Sequence, residues 1–154
     1  MQENNKTTKT ILITNENENI EILKDSIFNY LWIGKDNQKY KGNLTIFHNI
    51  ANTKSNISIK VVLYDNSSFD LEAIVHISKG AIGTDTYLKV NALILSNYAT
   101  IKVEPSLEIL ENDVKAGHSA IIKEIPLNEI YYLMSRGLSE EEAKSIIVEA
   151  FINS

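Results

Sequence analysis

Apolar residues in most of the chain recur at every second position. The longest rows run from Ile57 to Leu63 and from Leu71 to Ile77, and shorter rows continue between Leu93 and Ile109. A spacing of two places side chains on one face of a β-strand. The rows are separated by turn-forming residue types, as in Asp65-Asn66-Ser67-Ser68. We therefore predict a strand-rich core over residues 10–123.

The segment before this core allows two interpretations. A helical stripe would consist of Ile20, Leu23, Ile27, Phe28 and Leu31. Ile20 and Ile22, however, alternate with polar residues as they would in a strand, and we favour strands here. Residues 1–9 contain no apolar row and are predicted to form a polar tail.

The order of the predicted strands leaves the architecture open. No helical pattern of ten or more residues interrupts the strand region, which argues against parallel strands joined by crossover helices. The sequence contains neither Asn-Gly nor Asp-Gly, the strongest signals for two-residue hairpins. Short strands with few hairpin signals are typical of a stacked solenoid. Because no fixed repeat period is visible, the pattern alone allows both a β-helix and a β-sandwich.

The apolar spacing becomes helical in residues 126–154. Pro126 is predicted at the first helical position, where a proline loses no hydrogen bond. Ile130, Leu133 and Met134 form an apolar stripe, and Gly137 is placed to end this helix in a left-handed conformation.

A second helix is predicted to start at Ser139. Glu142 follows three residues later, and the pair has the spacing of a capping box. One continuous apolar face is expected from Ala143, Ile146, Ile147, Ala150 and Phe151.

Composition narrows the function classes. The 154 residues carry a net charge of −5, and the 15 lysines and arginines are spread along the chain, so we expect no nucleic-acid partner. The chain contains no cysteine, which excludes disulfides and thiolate metal ligands within it. The apolar runs are far shorter than the roughly 20 residues that cross a bilayer, and the first residues lack the apolar region of a signal peptide. We therefore expect a cytoplasmic protein with no membrane partner.

Three stretches of sequence are specific enough to suggest a family. The first runs Gly83-Thr84-Asp85-Thr86-Tyr87 and continues with Asn91-Ala92-Leu93-Ile94-Leu95-Ser96. The second runs Pro105-Ser106-Leu107-Glu108-Ile109 and continues with Asp113-Val114-Lys115-Ala116-Gly117-His118-Ser119-Ala120. The third is Tyr132-Leu133-Met134-Ser135-Arg136-Gly137-Leu138, followed by Glu142-Ala143. In order and spacing they resemble the C-terminal core of the SufB/SufD family, and the resemblance extends over about residues 43–152.

The resemblance implies an all-β fold: a parallel β-helix with a short C-terminal pair of α-helices. It also implies a part in SUF iron–sulfur cluster assembly. Members of this family pair with a SufB/SufD-type subunit, or with a like copy, through the β-helix. They bind SufC, an ABC-type ATPase, through their C-terminal helices.

The chain departs from SufB in ways that make it more similar to SufD. SufB has a cysteine at the position near Val90, and it has glutamate where this chain has Ser119. The chain is also shorter than usual members and has no match to their N-terminal helical domain. We therefore expect a SufD-like scaffold without catalytic residues.

The resemblance assigns three sets of site residues. His118 is the candidate ligand for a cluster or metal, since neutral imidazole is a suitable ligand for iron. The pairing candidates are Leu107, Glu108, Ile109, His118 and Ser119. The ATPase-docking candidates are Tyr131, Tyr132, Leu133, Arg136, Gly137 and Phe151. No stably bound cofactor is expected, although an iron–sulfur cluster could form transiently at a subunit interface.

Several alternatives remain open at this point. The chain could be a homodimeric interaction protein that kept the fold and lost cluster assembly. It could also be an enzyme acting on acidic or sugar polymers, with Glu108 and Asp113 as paired carboxylates. His48 and His76 lie on predicted strands, where a single histidine is expected to have a structural role.

Overall fold

The computed structural model describes residues 7–154, and in that part of the chain it contains nine strands and two helices. The strands are β1 (Thr7–Leu12), β2 (Asn17–Glu21), β3 (Ser26–Gly34), β4 (Lys39–His48), β5 (Lys54–Leu63), β6 (Ser68–Ile77), β7 (Asp85–Ile94), β8 (Thr100–Ile109) and β9 (Lys115–Glu124). The helices are α1 (Leu127–Ser135) and α2 (Glu140–Asn153).

The strands form two parallel sheets that the chain visits in alternation. Sheet A has the order β1-β3-β5-β7-β9, and sheet B has the order β2-β4-β6-β8. Two strands complete a turn, and from β3 onward the register between neighbouring turns pairs residues 29 to 32 positions apart. The predicted parallel β-helix with a C-terminal helical pair is confirmed, and the β-sandwich alternative is wrong.

The core lies between the two sheets. In β5, Ile57, Ile59, Val61 and Leu63 are at most 1% exposed, and Phe69 in β6 is equally buried. Each such side chain stabilises the fold by roughly 1.5–3 kcal/mol. The alternation of buried and exposed residues in the sequence thus corresponds to alternation between the interior and the outer surface of the solenoid.

The corners of the solenoid are joined by carboxylates from the adjacent turn. The amide of Asp36 donates to Oδ2 of Asp65 at 2.9 Å, and the amide of Lys54 donates to Oδ1 of Asp25 at 3.0 Å. Asp36 and Asp65 have positive φ angles of 55° and 51°, which short polar side chains tolerate. The turn residues therefore both reverse the chain and bind successive turns together.

The N-terminal part of the core consists of strands, which confirms the strand interpretation of this segment over the helical one. β2 and β3 cover the segment in which a helical stripe was the competing interpretation. Of the predicted polar tail, residues 1–6 lie outside the described residues, and residues 7–9 belong to β1.

Both C-terminal helices form close to the predicted positions. Gly137 has a φ of 97° directly after α1, as expected of a C-terminal glycine. Ser139 and Glu142 make the predicted capping box. The position of Pro126 was wrong by one residue, because Pro126 is the N-cap of α1 with extended backbone angles and Leu127 is the first helical residue.

The predicted face of α2 needs a correction. Ala143 and Val148 are the buried residues of this helix, whereas Ile146 is 44% exposed and Ala150 is also exposed. The helix packs on the outer face of sheet A, where Val148 contacts the cluster formed by Val62 and Leu93. Apolar residues cover more than one side of α2, so their spacing alone did not determine which side packs on the sheet.

Candidate functional site

The last turn of the solenoid leaves its interior partly open. Register pairs Val75 with Leu107 and Leu88 with His118, and both partners in the preceding turn are fully buried. Leu107 is only partly buried, and His118 is exposed. Because residues in register share a face, His118 and Leu107 continue the interior rows of β9 and β8. We call this end of the solenoid, formed by β8 and β9, the open end.

The five predicted pairing residues divide between two faces of the open end. Leu107, Ile109 and His118 follow interior rows, and Ile109 is 43% exposed. Glu108 and Ser119 are in register with the outward residues His76 and Lys89. His118 and Ser119 therefore project to opposite sides of β9.

The carboxylate of Glu108 is occupied by a neighbour on the outer surface of sheet B. Nδ1 of His76 lies 3.0 Å from its Oε2. Asp113 lies in the corner after β8, where its carbonyl oxygen accepts from the amide of Gly83 at 2.7 Å.

The outer edge of β9 presents a row of backbone N–H groups. The amides of Lys115 and Ile125 donate to carbonyls at the β7 side, at 2.8 and 3.0 Å. Successive N–H groups along a strand point to opposite sides, so the even-numbered residues of β9 point theirs away from β7. These residues are Ala116, His118, Ala120, Ile122 and Glu124. Within residues 7–154, no strand pairs with this edge.

The edge of β8 differs because it contains a proline. The amides of Thr100 and Leu110 donate to the β6 side, at 3.1 and 2.9 Å, so the odd-numbered residues face the edge. Pro105 is one of them, and its missing N–H costs no bond to β6. The middle of the β8 edge therefore lacks a donor that the β9 edge retains.

A glycine and a tyrosine lie together beside His118. A Cβ atom at Gly117 would lie 2.9 Å from Cε2 of Tyr87. The ring of Tyr87 therefore lies close over the backbone of β9, on the outward face of sheet A. An aromatic ring placed over a glycine in an edge strand shields and stabilises that strand.

A groove of about 590 Å³ lies between α1 and α2. Its lining consists of Lys123, Asn128, Glu129, Tyr132, Leu133, Ile146, Ile147, Ala150, Phe151 and Ser154. We call it the helix groove. It brings together Tyr132, Leu133 and Phe151 from the predicted docking set.

The other predicted docking residues lie outside the lining of the helix groove. Tyr131 is 61% exposed, and Gly137 ends α1. The guanidinium of Arg136 lies 5.2 Å from the centre of the Tyr132 ring, in a cation–π contact. Arg136 thus contacts a residue of the groove without lining it.

Ile146 and Ala150 were expected to be buried and instead line the groove, where they are exposed. Their part in a surface was not predicted, although the helical spacing had already placed them beside Phe151.

His48, unlike His118, lies inside the solenoid. His48 is fully buried, with Nδ1 2.8 Å from Oγ1 of Thr53 and Nε2 2.8 Å from Oγ of Ser55. Burial lowers the pKa of His48 to about 4, from an ordinary value of 6.5. His48 is therefore neutral and holds hydroxyl groups inside the solenoid, in agreement with a structural role.

Across residues 7–154, no group of three or more His, Asp or Glu side chains is arranged to hold a metal ion. Neither helix of the described chain is long and apolar enough to cross a membrane.

A parallel β-helix with an open terminal turn and an appended pair of grooved helices defines a protein of the β-solenoid class. Residues 8–151 match the family model described as the SufBD core domain of the SUF system for iron–sulfur cluster assembly. The chain belongs to this SufBD family.

Curated relatives carry the same assignment. The chain is 32% identical to an iron–sulfur cluster assembly SufBD family protein of Mycobacterium tuberculosis over 132 residues, which is 86% of this chain and 16% of the relative. It is 32% identical to a SufBD family protein of Staphylococcus saprophyticus over 84% of this chain and 28% of the relative. It is 34% identical to the iron–sulfur cluster assembly protein SufB of Bacillus subtilis over 70% of this chain and 23% of the relative. The chain thus spans less than a third of the length of each of these relatives.

Proposed function

We propose that this chain is a SufD-like scaffold of iron–sulfur cluster assembly that pairs with a SufB/SufD-type subunit and docks a SufC-type ATPase. In this role it carries no catalytic residue of its own. The proposal is supported by two features of this SufBD-family chain. At one end lies a strand edge with which no strand of residues 7–154 pairs, and the C-terminal helices carry an exposed apolar groove.

The open end is the proposed pairing surface. A strand edge with free N–H groups readily accepts a strand from another chain. The interior residues there, Leu107 and Ile109, remain partly exposed and would be covered by a partner. A second copy would give a two-fold pair in which the same surface is used twice.

His118 is the proposed site at which a transient iron–sulfur cluster binds to the paired subunits. Its backbone N–H faces the edge of β9, and its exposed side chain continues the interior row. A partner placed at this edge would bring its own side chains to His118. A transient iron–sulfur cluster bound there would be cargo shared by two subunits, with the imidazole as one ligand.

The helix groove is the proposed docking surface for the ATPase. It combines aromatic residues, Tyr132 and Phe151, with aliphatic residues from both helices. Aromatic anchors in a concave apolar surface are typical of residues that dominate binding energy at protein interfaces. Arg136 contacts the ring of Tyr132 and is expected to hold it in place.

Capture of the ATPase tests the docking surface. The double substitution Tyr132→Ala and Arg136→Ala should abolish co-purification with the cognate SufC-type ATPase, because it removes the aromatic anchor and its support. Tyr98→Ala is the matched control, since Tyr98 is 78% exposed on a corner loop outside the groove. Undiminished capture by the double variant would refute the helix groove as the docking site.

The same experiment separates the main alternative. A homodimeric interaction protein that has lost cluster assembly would form pairs but capture no ATPase even as the wild type. Anaerobic co-expression with SUF components, followed by mass and visible absorbance of the purified complex, reports pairing and cluster together.

A further inference from the structure

Helix α2 lies across the outer face of sheet A. Its 14 residues span about 21 Å, enough to cross about four strands spaced roughly 4.8 Å apart. Near its N-terminal end, Glu140 and Lys144 line a cavity with the end of β7. At its C-terminal end, Ile152 and Asn153 lie beside β3 and β5.

The charges of α2 are unequal at its two ends. Glu140, Glu141 and Glu142 occupy the first turn, where negative charge is favourable. The last turn contains no basic residue. The final carbonyl groups of a helix have no partner within the helix and are stabilised by a cation. The charged residues of α2 therefore stabilise the helix dipole at its N-terminal end only.

Lys60, on β5, supplies the missing cation from the sheet. Its Nζ donates to the carbonyl oxygen of Ile152 at 2.8 Å and to a backbone oxygen of Ser154, the last residue of the sequence, at 2.5 Å. It also lies 3.3 Å from the hydroxyl of Ser154. The same Nζ lies 5.9 Å from the centre of the Phe151 ring. One side chain therefore contacts the end of the helix and a residue of the helix groove.

The surroundings of Lys60 disfavour its charged form. Burial, together with the positive charge of Lys89, lowers the pKa of Lys60. The charge-assisted hydrogen bonds to the end of α2 offset this cost.

We propose that Lys60 is a positioning residue that fastens the C-terminal end of α2 to sheet A and thereby holds Phe151 in the helix groove. The consequence for a partner rests on the proposed function, whereas the fastening of the helix does not. Lys60 lies 80 residues before the start of α2 in sequence, and its hydrogen bonds to the end of α2 join residues 92 and 94 positions apart.

Three substitutions test the role of Lys60. Lys60→Met keeps a long side chain and removes the donors, Lys60→Arg restores donors and charge, and Lys89→Met removes a lysine from the same face one strand away. Amide hydrogen exchange over residues 149–153 reports the fastening without any partner. Affinity for the SufC-type ATPase reports the groove, and the melting temperature reports the solenoid.

For Lys60→Met we expect exchange in the last turn of α2 about tenfold faster and ATPase affinity about tenfold weaker, as the loss of charged hydrogen bonds predicts. The melting temperature should stay near that of the wild type, and Lys60→Arg should recover most of both effects. Lys89→Met removes a like charge near Lys60, so exchange should be unchanged or slower and affinity should not fall. Unchanged exchange in Lys60→Met would overturn the fastening. Faster exchange with unchanged ATPase affinity would show that Lys60 does not influence binding at the helix groove. If the wild type itself captures no ATPase, the proposed function fails and exchange alone decides the role of Lys60.

Discussion

The hydrogen bonds of His48 determine which of its nitrogens carries the proton. Thr53 donates its hydroxyl proton to the carbonyl of Ile50 at 3.1 Å, so it must accept from Nδ1 of His48. Nε2 then accepts from Ser55, and Ser55 accepts from Thr86 at 2.7 Å. These partners are all uncharged, and a second proton on the ring would have to reverse the chain of hydroxyl groups from Ser55 onward.

This neutral histidine gives the protein a specific sensitivity to acid. Its pKa is about 4 in the folded protein and 6.5 as an ordinary value, so the unfolded chain binds the proton first as the pH falls. Stability from His48 is therefore complete above about pH 6.5 and declines towards pH 4, by at most about 3 kcal/mol. Urea unfolding at a series of pH values should show this loss.

A variant without the imidazole isolates the effect of His48. His48→Gln should be less stable at neutral pH, by about 1–3 kcal/mol, because buried hydroxyls lose partners. The difference in unfolding free energy between wild type and variant should shrink as the pH falls from 6.5 to 4. His118→Gln, on the exposed last strand, serves as the control, and a constant difference for His48→Gln would contradict the prediction.

At the scale of single residues, the sequence predicted the role of a residue better than its hydrogen-bond partners. His48 was expected to be structural, and it is. Its contact with Ser55 is local in sequence. The next hydrogen bond, from Ser55 to Thr86, joins residues 31 positions apart, and the two meet only because the turns stack. Without a known repeat length, no local pattern could place these residues together. The contact of Lys60 with α2 was unpredictable for the same reason.

At the scale of elements, alternation and capping signals identified some elements and not others. Alternating apolar rows marked β5, β6 and β8, whereas no such row was recognised in β3, β4 or β9. Ser139, Glu142 and Gly137 marked the ends of the helices. The error concerned the side of α2 that is buried. A helix with apolar residues on several sides packs according to its neighbours, here sheet A and α1, and the surplus apolar residues line the helix groove.

The capping box predicts how α2 responds to the loss of one hydroxyl. Ser139 accepts from the amide of Glu142 at 3.2 Å, and the carboxylate of Glu142 accepts from the amide of Ser139 at 2.7 Å. Ser139→Ala should destabilise α2 by about 1 kcal/mol and speed exchange of its first-turn amides about fivefold. Ser145→Ala, at an exposed position inside the same helix, should leave exchange the same or slower, because alanine favours helix. Equal exchange in the two variants would show that the capping box does not hold the helix.

At the scale of the molecule, the stacked turns form a structural repeat that does not appear in the sequence as a fixed period. The register between neighbouring turns is offset by 29 to 32 residues from β3 onward, because the corners differ in length from one turn to the next. A search for a fixed period fails under such variation, although each turn places a similar apolar row inside. The resemblance to a known family identified the solenoid where periodicity left a sandwich open.

The two edges of the open end are unequal, and this inequality predicts which strand pairs with another subunit. β9 offers an edge N–H at every second residue from Ala116 to Glu124, whereas the β8 edge lacks a donor at Pro105. Strand addition should therefore occur on sheet A. Ala120→Pro removes one edge donor from β9 without removing a bond to β7, and the extended backbone of a strand suits the residue before a proline.

We expect Ala120→Pro to weaken the pair at least tenfold, because the partner's carbonyl loses its donor and the proline ring obstructs the edge. Sedimentation equilibrium should detect this, and circular dichroism should show a folded solenoid. Ala120→Ser keeps the N–H and should pair like the wild type. Pro105→Ala restores a donor to β8 and should leave pairing intact or stronger. A pair that survives Ala120→Pro unchanged cannot be joined along β9, and pairing would then have to use the faces of the open end instead of its edge.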